Sequence, residues 1–409
     1  MARRARWVRL ATWGGGGILL GLALLVLLAN VIARTEAGHE FVLERTLEAL
    51  GRDIQGELKV ARIDGNLFEG ARLYGVRLED EQKRPFIVAD SAFLDYDVVT
   101  LISPRIRITR LTLFDPEIYV SKLPGDSLYN YQRIFAKKTP RTGGARVERA
   151  TLLDTVNIRN GFVQVELAWQ PDTTLSRAEQ RRELALALSD TGTIVVRRVP
   201  SGYVRTMSFR AMNGRMRDIR FAPGSKTGTR LHIDTLGASM QVFRRPARLV
   251  HLRGDVSLTR AHLEFDMPVL RFPSSLISAS GVMRTDSFPE WFDKAEGQMY
   301  DIAFRSDSVA FRDLQWLYPR FPANAAGALS LRIETRPEGT LFLARDARLR
   351  APGTLITGSF GMIAGDTLRF VDVDLEAEPV DVGLIDRMLP EGLPVRGLRL
   401  GGAEIRGGP

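Results

Sequence analysis

The sequence of 409 residues contains no cysteine. That absence excludes disulfide cross-links, thiolate metal sites, cysteine nucleophiles and CxxC redox chemistry together. Histidine is scarce, with four copies and no HxH or HxxxH spacing. His39 precedes Glu40, but HEFVL lacks the second histidine of a zincin helix. His232, His251 and His262 lie in separate alternating runs and read as strand-surface residues. Also missing are a GxSxG elbow, a GxxxxGKS or GxxxxGKT phosphate loop and a strand-linked GxGxxG, the fingerprints of α/β-hydrolases, P-loop enzymes and dinucleotide folds. The acidic run Asp372, Asp374, Glu376 and Glu378 alternates with Val, Leu and Ala and reads as a wet strand face; it has no calcium-loop pattern. No catalytic residue, metal ligand or cofactor is assigned, and the chain is not read as an enzyme.

Long apolar runs are rare too, with one exception. Arg3, Arg4, Arg6 and Arg9 lead into an uncharged stretch from Leu10 to Ala33, closed by Arg34. As a helix those residues would span roughly 36 Å, enough for a bilayer core of about 30 Å. The arginines precede the span, so the positive-inside rule makes residues 1–9 a cytoplasmic tail and 10–33 a signal anchor. A cleaved signal with Val31 and Ala33 before the cut is the rival reading, and both export the remainder. The net charge of +9 then divides. Without the four leading arginines, 53 basic residues face 48 acidic ones, and no run of five basic residues occurs. A nucleic-acid partner is therefore not expected.

Glu36 to Gln55 places Leu43, Leu47, Leu50 and Ile54 at helical spacing and predicts an amphipathic helix. From Glu57 to Pro409 the period falls to two. Val76 and Leu78 alternate with charge; Ile106 and Ile108 share a face before a phase slip at Arg110–Leu111; Val156 and Ile158, then Val163, Val165 and Leu167, continue the pattern. Near the end Val371, Val373 and Leu375 stand opposite Asp372, Asp374 and Glu376. Half-buried antiparallel strands give this spacing, and a β-bulge gives the slip. Asp64-Gly65-Asn66, Asn160-Gly161, Pro223-Gly224, Pro352-Gly353 and Gly365-Asp366 read as turns. Lys137–Val147 and Gln170–Glu183 read as loose insertions, and short helical turns are expected at Ser127–Phe135, Phe311–Tyr318 and Val382–Leu389.

The chain also repeats. Leu270–Met283 (LRFPSSLISASGVM) aligns with Leu349–Met362 (LRAPGTLITGSFGM), and Asp301–Pro319 aligns with Asp372–Pro390. Units near 254–319 and 327–390 fit an architecture built by stacking.

Gly65–Asp80 (GNLFEGARLYGVRLED), Ala92–Asp97 (AFLDYD) and Arg105–Val120 (RIRITRLTLFDPEIYV), in this order after an anchor, resemble the N-terminal region of the AsmA-like proteins, most closely the TamB group. Ala347–Pro390 is similar to the strand repeat of that group. The resemblance implies a periplasmic protein held in the inner membrane, with a long curved antiparallel sheet whose concave face is a hydrophobic groove. It further implies phospholipid movement between membranes or assistance to outer-membrane protein assembly, with an Omp85-type barrel partner. Members of the group are usually longer and carry a characteristic C-terminal domain, so a short form or a portion of such a chain is expected.

The fold expected is thus mainly β: a transmembrane helix, then an elongated, curved, repetitive antiparallel sheet over 57–409 with few short helices. Few helices leave the apolar face of a long sheet without a helix layer to cover it. Val76, Leu78, Ile106, Ile108, Val156, Ile158, Val163, Val165, Leu167, Val371, Val373 and Leu375 would line a groove for phospholipid acyl chains. The alternative is a scaffold that binds β-strand clients of the envelope at its sheet edge without moving lipid.

Overall fold

The computed structural model describes residues 55–66, 70–96, 108–134, 151–173, 175–189, 196–221, 228–242, 245–259, 261–285, 298–365, 368–379, 381, 383–384 and 405–407. The basic tail with Arg3, Arg4, Arg6 and Arg9, the 10–33 span, the 36–55 helix apart from Gln55, Ile106, the 137–147 insertion and the Pro223-Gly224 turn lie outside them. No helix among the described residues is long and apolar enough to cross a membrane.

The protein is mainly β, with nineteen strands in one sheet among the described residues. β1 (Glu57–Lys59) and β2 (Arg62–Asn66) together line one edge of β3 (Gly70–Glu79), and β4 (Pro85–Tyr96) takes its other edge. β5 (Ile108–Phe114) and β6 (Glu117–Lys122) act as one strand broken at Asp115–Pro116, paired with β4 on one side and with β7 (Thr151–Trp169) on the other. β9 (Gly202–Phe221) follows β7, with β8 (Val196–Val199) and β10 (Thr229–Val242) sharing its far edge. An antiparallel meander then continues through β11 (Arg245–Leu258), β12 (His262–Arg271), β13 (Leu276–Arg284), β14 (Met299–Ala310) and β15 (Ala326–Arg336). It goes on through β16 (Gly339–Ala351), β17 (Thr354–Ala364), β18 (Leu368–Ala377) and β19 (Ile405–Gly407).

Several expectations need correction. The sheet is mixed, because β5 and β6 run parallel to β7. β6 ends at Lys122 and β7 begins at Thr151 beside the start of β5, so the connection between them is the long crossover that parallel pairing requires. Asn160-Gly161 is not a turn; it sits inside the 19-residue β7 as a bulge, with Asn160 at φ +53°. The break is matched next door, where Asp115 N–H donates to Arg159 O and Asn160 Nδ2 donates to Asp115 Oδ1. Asp64-Gly65-Asn66 is likewise the end of β2, paired to Arg72, Ala71 and Gly70. The insertion read at 170–183 contains the start of a helix, α2 (Arg177–Ser189), opened by Ser176 and Glu179.

The short helices expected at the ends of strands fall where the chain crosses a rim of the sheet. α1 (Asn130–Ile134) is pinned across β4 and β6 by Asn130, whose Oδ1 accepts from Ser121 N–H and whose Nδ2 donates to the carbonyls of Pro85 and Tyr119. A 3-10 helix, Phe311–Leu314, follows β14, and Gly383–Leu384 begin a helical turn after β18. The aligned sequence segments therefore occupy equivalent elements: the β12–β13 turn with β14 and its helix, and the β16–β17 turn with β18 and Leu384.

Candidate functional site

Cross-strand pairs on one face of a sheet lie about 5 Å apart, so register identifies which side chains form a surface. One row starts at Ala71 and passes through Leu94, Leu111, Val156, Met216 and Ile233 to Gly254. A Cβ on Gly254 would meet the Met267 side chain, and from Met267 the row continues through Ala279, Phe304, Leu331 and Ala344 to Phe360. It crosses from β3 to β17 without a polar or charged residue. Thirteen strands at about 4.8 Å give a band roughly 58 Å long. A parallel row runs Leu73, Ala92, Leu113, Ile158, Gly214, Leu236, Leu252, Leu270, Ile277. A Cβ on Gly214 would stand 2.8 Å from Leu236 Cδ1 and 3.0 Å from Thr235 O, so a larger residue there would crowd the row.

Among the described residues the buried clusters on this face draw on neighbouring strands: Leu73 to Leu113 at one end, Val156, Ile158 and Ile219 next, then Ile233, Met267 and Ala279. At one rim Phe311, Leu314 and Phe321 close over Ile277, Val309 and Leu349. Leu231, Leu252, Val256 and Phe265 pack against the Ile233 cluster yet stay half-buried, as does Leu331, and Phe370 at the far end is 60% exposed.

The residues singled out from the sequence fall into three groups. Val76, Val156 and Ile158 are buried on the row face, and Ile108 packs beside them. Leu78 meets Ile87, Ile118 and Val163 in one line across β3, β4, β6 and β7, and Val165 sits between Val120 and Met207. Leu167 is 1% exposed and pairs with Lys122 and Arg205. The third group divides. Asp372 stands at φ +49°, a bulge that shifts phase between Val371 and Val373. Val371 pairs with Gly361 and packs with Leu341, Leu343 and Ile363 on the reverse face, whereas Leu375 pairs with Gly358 on the row face. Sequence alternation placed the two valines together; the left-handed aspartate separates them.

Bulges are general here. Every antiparallel pair from β7–β9 to β17–β18 carries a register shift, β8–β9 excepted. Asp115, Asn160, Ala211, Asp218, Asp346 and Asp372 all have φ between +48° and +54°. Each bulge bends its strand and adds local twist.

Among the described residues the histidines are not gathered into one site. His232 Nδ1 lies 2.7 Å from Asp255 Oδ1, His251 contacts Thr235 and His262 contacts Thr259, three separate strand-surface contacts. No cluster of three metal-ligating side chains occurs among the described residues. The most buried ion network among the described residues is structural: Arg84 bridges Asp80 (2.8 Å) and Asp126, and Arg133 reaches Asp126 at 2.8 Å, fastening α1 to the start of β4. Comparison with protein-family models, curated proteins and solved structures finds no match to this chain.

Proposed function

We propose that this is an envelope protein, anchored in the inner membrane by residues 10–33, that conducts phospholipid acyl chains along the apolar face of its sheet. The observation that supports it is the row from Ala71 to Phe360, apolar across thirteen strands and flanked by half-buried Leu, Val and Phe side chains. A band longer than a bilayer core is thick, lined without a single polar group, suits a chain that slides, because no position along it is favoured by a specific bond. Each acyl CH2 transferred from water gains about 0.8 kcal/mol. The bulges supply the curvature that would turn the face into a groove, with the 3-10 helix after β14 as part of its rim. The resemblance to the AsmA-like proteins supports the same reading and adds an outer-membrane Omp85-type barrel as partner.

The test is a photoreactive residue introduced at Val165, Leu252 or Leu331, with Arg332 on the reverse face as control. Phospholipid adducts are expected from the first three and not from the control. Absence of lipid adducts at all three sinks the proposal. A second reading rests on β18, whose outer edge takes only the three-residue β19 among the described residues. The remaining ladder could accept a client strand; protein adducts at β18 without lipid adducts on the row would favour that scaffold.

A further inference from the structure

We propose a second binding site, on the face opposite the apolar row, that takes a phosphate ester. Its floor is the hydroxyls of Thr112 and Thr155 and the Asn157 amide, whose Nδ2 donates to Thr112 Oγ1 at 3.2 Å. Its rim is Arg110, Arg159 and Arg215, which with the floor enclose an open cleft of about 470 Å³.

The register explains the grouping. Arg110, Thr155 and Arg217 form one line across β5, β7 and β9; Thr112, Asn157 and Arg215 form the next; Phe114 and Arg159 close the third. Strand spacing makes this a patch of roughly 10 by 13 Å with hydrogen-bonding groups at its centre and guanidinium groups around it. The side chains of the apolar row, Leu111, Val156 and Met216, point to the other side of the same strands.

Charge balance singles out the site. Asp234 accepts from Arg217 at 2.9 Å and lies 3.5 Å from Arg215. Arg110 and Arg159 make no ion pair among the described residues, although Asp95 is the cross-strand neighbour of Arg110. Two unpaired forks with a third partly paired match a tetrahedral oxyanion better than a planar carboxylate, since a phosphate presents three oxygens to diverging donors. The cleft exceeds one phosphate, and the Phe114 ring at its border gives the esterified group an apolar surface. The same phosphate-ester chemistry is offered by a soluble sugar or glycerol phosphate and by a lipid headgroup.

The test is calorimetric titration of the full chain with glycerol 3-phosphate at low ionic strength. In parallel, co-sedimentation compares vesicles of phosphatidylglycerol in phosphatidylcholine with vesicles of phosphatidylcholine alone, and only the difference is read, because residues 10–33 and the apolar face would hold the full chain to either. Saturable binding to at least one is expected, weakened tenfold or more in Arg110→Gln/Arg159→Gln and severalfold in Arg159→Lys, which keeps charge and loses the fork. Arg348→Gln, an exposed arginine elsewhere on the sheet, should bind as the wild type does. Binding of glycerol phosphate identifies a soluble ester; loss confined to vesicles identifies a headgroup. No binding to either probe, or equal binding by wild type and the double variant, overturns the site. Both exchanged arginines are exposed, so circular dichroism should stay unchanged. Lipid adducts at Val165 or Leu252 report on the other face, so either proposal can fail alone.

Discussion

Asp126 shows how much of the rim hangs on single side chains. Burial pushes its carboxyl pKa up, but hydrogen bonds from Arg84, Arg133 and the Leu123 N–H outweigh that and hold it below the ordinary aspartate value. A folded value below the unfolded one means stabilisation present above about pH 4 and lost as pH falls through the folded pKa. Asp126→Asn should therefore loosen α1 at neutral pH by about 2 kcal/mol, since Arg84 and Arg133 each lose a charged acceptor in a partly buried setting. The difference from wild type should shrink as pH drops below about 4, where the native carboxylate protonates as well. Hydrogen exchange at Arg133 N–H, which donates to Tyr129 O, reads both effects. A variant as protected as wild type at pH 7 would show that Asn130 alone carries the attachment.

At the scale of elements, α2 carries a legible local signal. Ser176-Arg177-Ala178-Glu179 is a capping box: Ser176 N–H donates to Glu179 Oε2 at 2.9 Å, and Glu179 N–H donates back to Ser176 Oγ. Leu184, Leu186 and Leu188 at every second position masked it by imitating a strand. Ser176→Ala should cost the helix about 1 kcal/mol, measured as roughly fivefold faster exchange of amides in its first turn with β7 and β9 unaffected; unchanged exchange would mean that contacts with β8 hold the helix. Other features could not be read locally. Asn-Gly signals a hairpin and a bulge equally well, and what makes Asn160 a bulge is the matching break at Asp115–Pro116, 45 residues earlier. Asp372 fits the polar half of an alternating strand, so its left-handed backbone leaves no trace in the pattern. The strands themselves were legible because their period is imposed by one apolar face. The parallel pairing of β7 was not, because it depends on where a crossover returns.

For the whole molecule, one sheet in which each strand bonds only to its neighbours behaves as a one-dimensional array, where stability is a sum of local interfaces. The apolar row was legible as separate pairs of residues; its continuity over thirteen strands depends on register that bulges reset at almost every step. A lesion at one end should consequently stay there. Gly358 in β17 stands at φ +127°, and a Cβ would sit 1.9 Å from Asp374 O of β18. Gly358→Ala should destabilise the β16–β18 end by about 2–4 kcal/mol. Hydrogen exchange should accelerate in β16, β17 and β18 while β3 to β9 keep wild-type protection. Gly353→Ala separates strain from crowding: its φ is +69°, but the nearest atom to the new Cβ is Asp381 Cβ at 3.9 Å, so a smaller local effect is expected. If Gly358→Ala instead accelerates exchange evenly from β3 to β18, the sheet unfolds as one cooperative unit. A groove of independently opening segments would then be ruled out, because no part of the apolar row could loosen to admit a chain while the rest held.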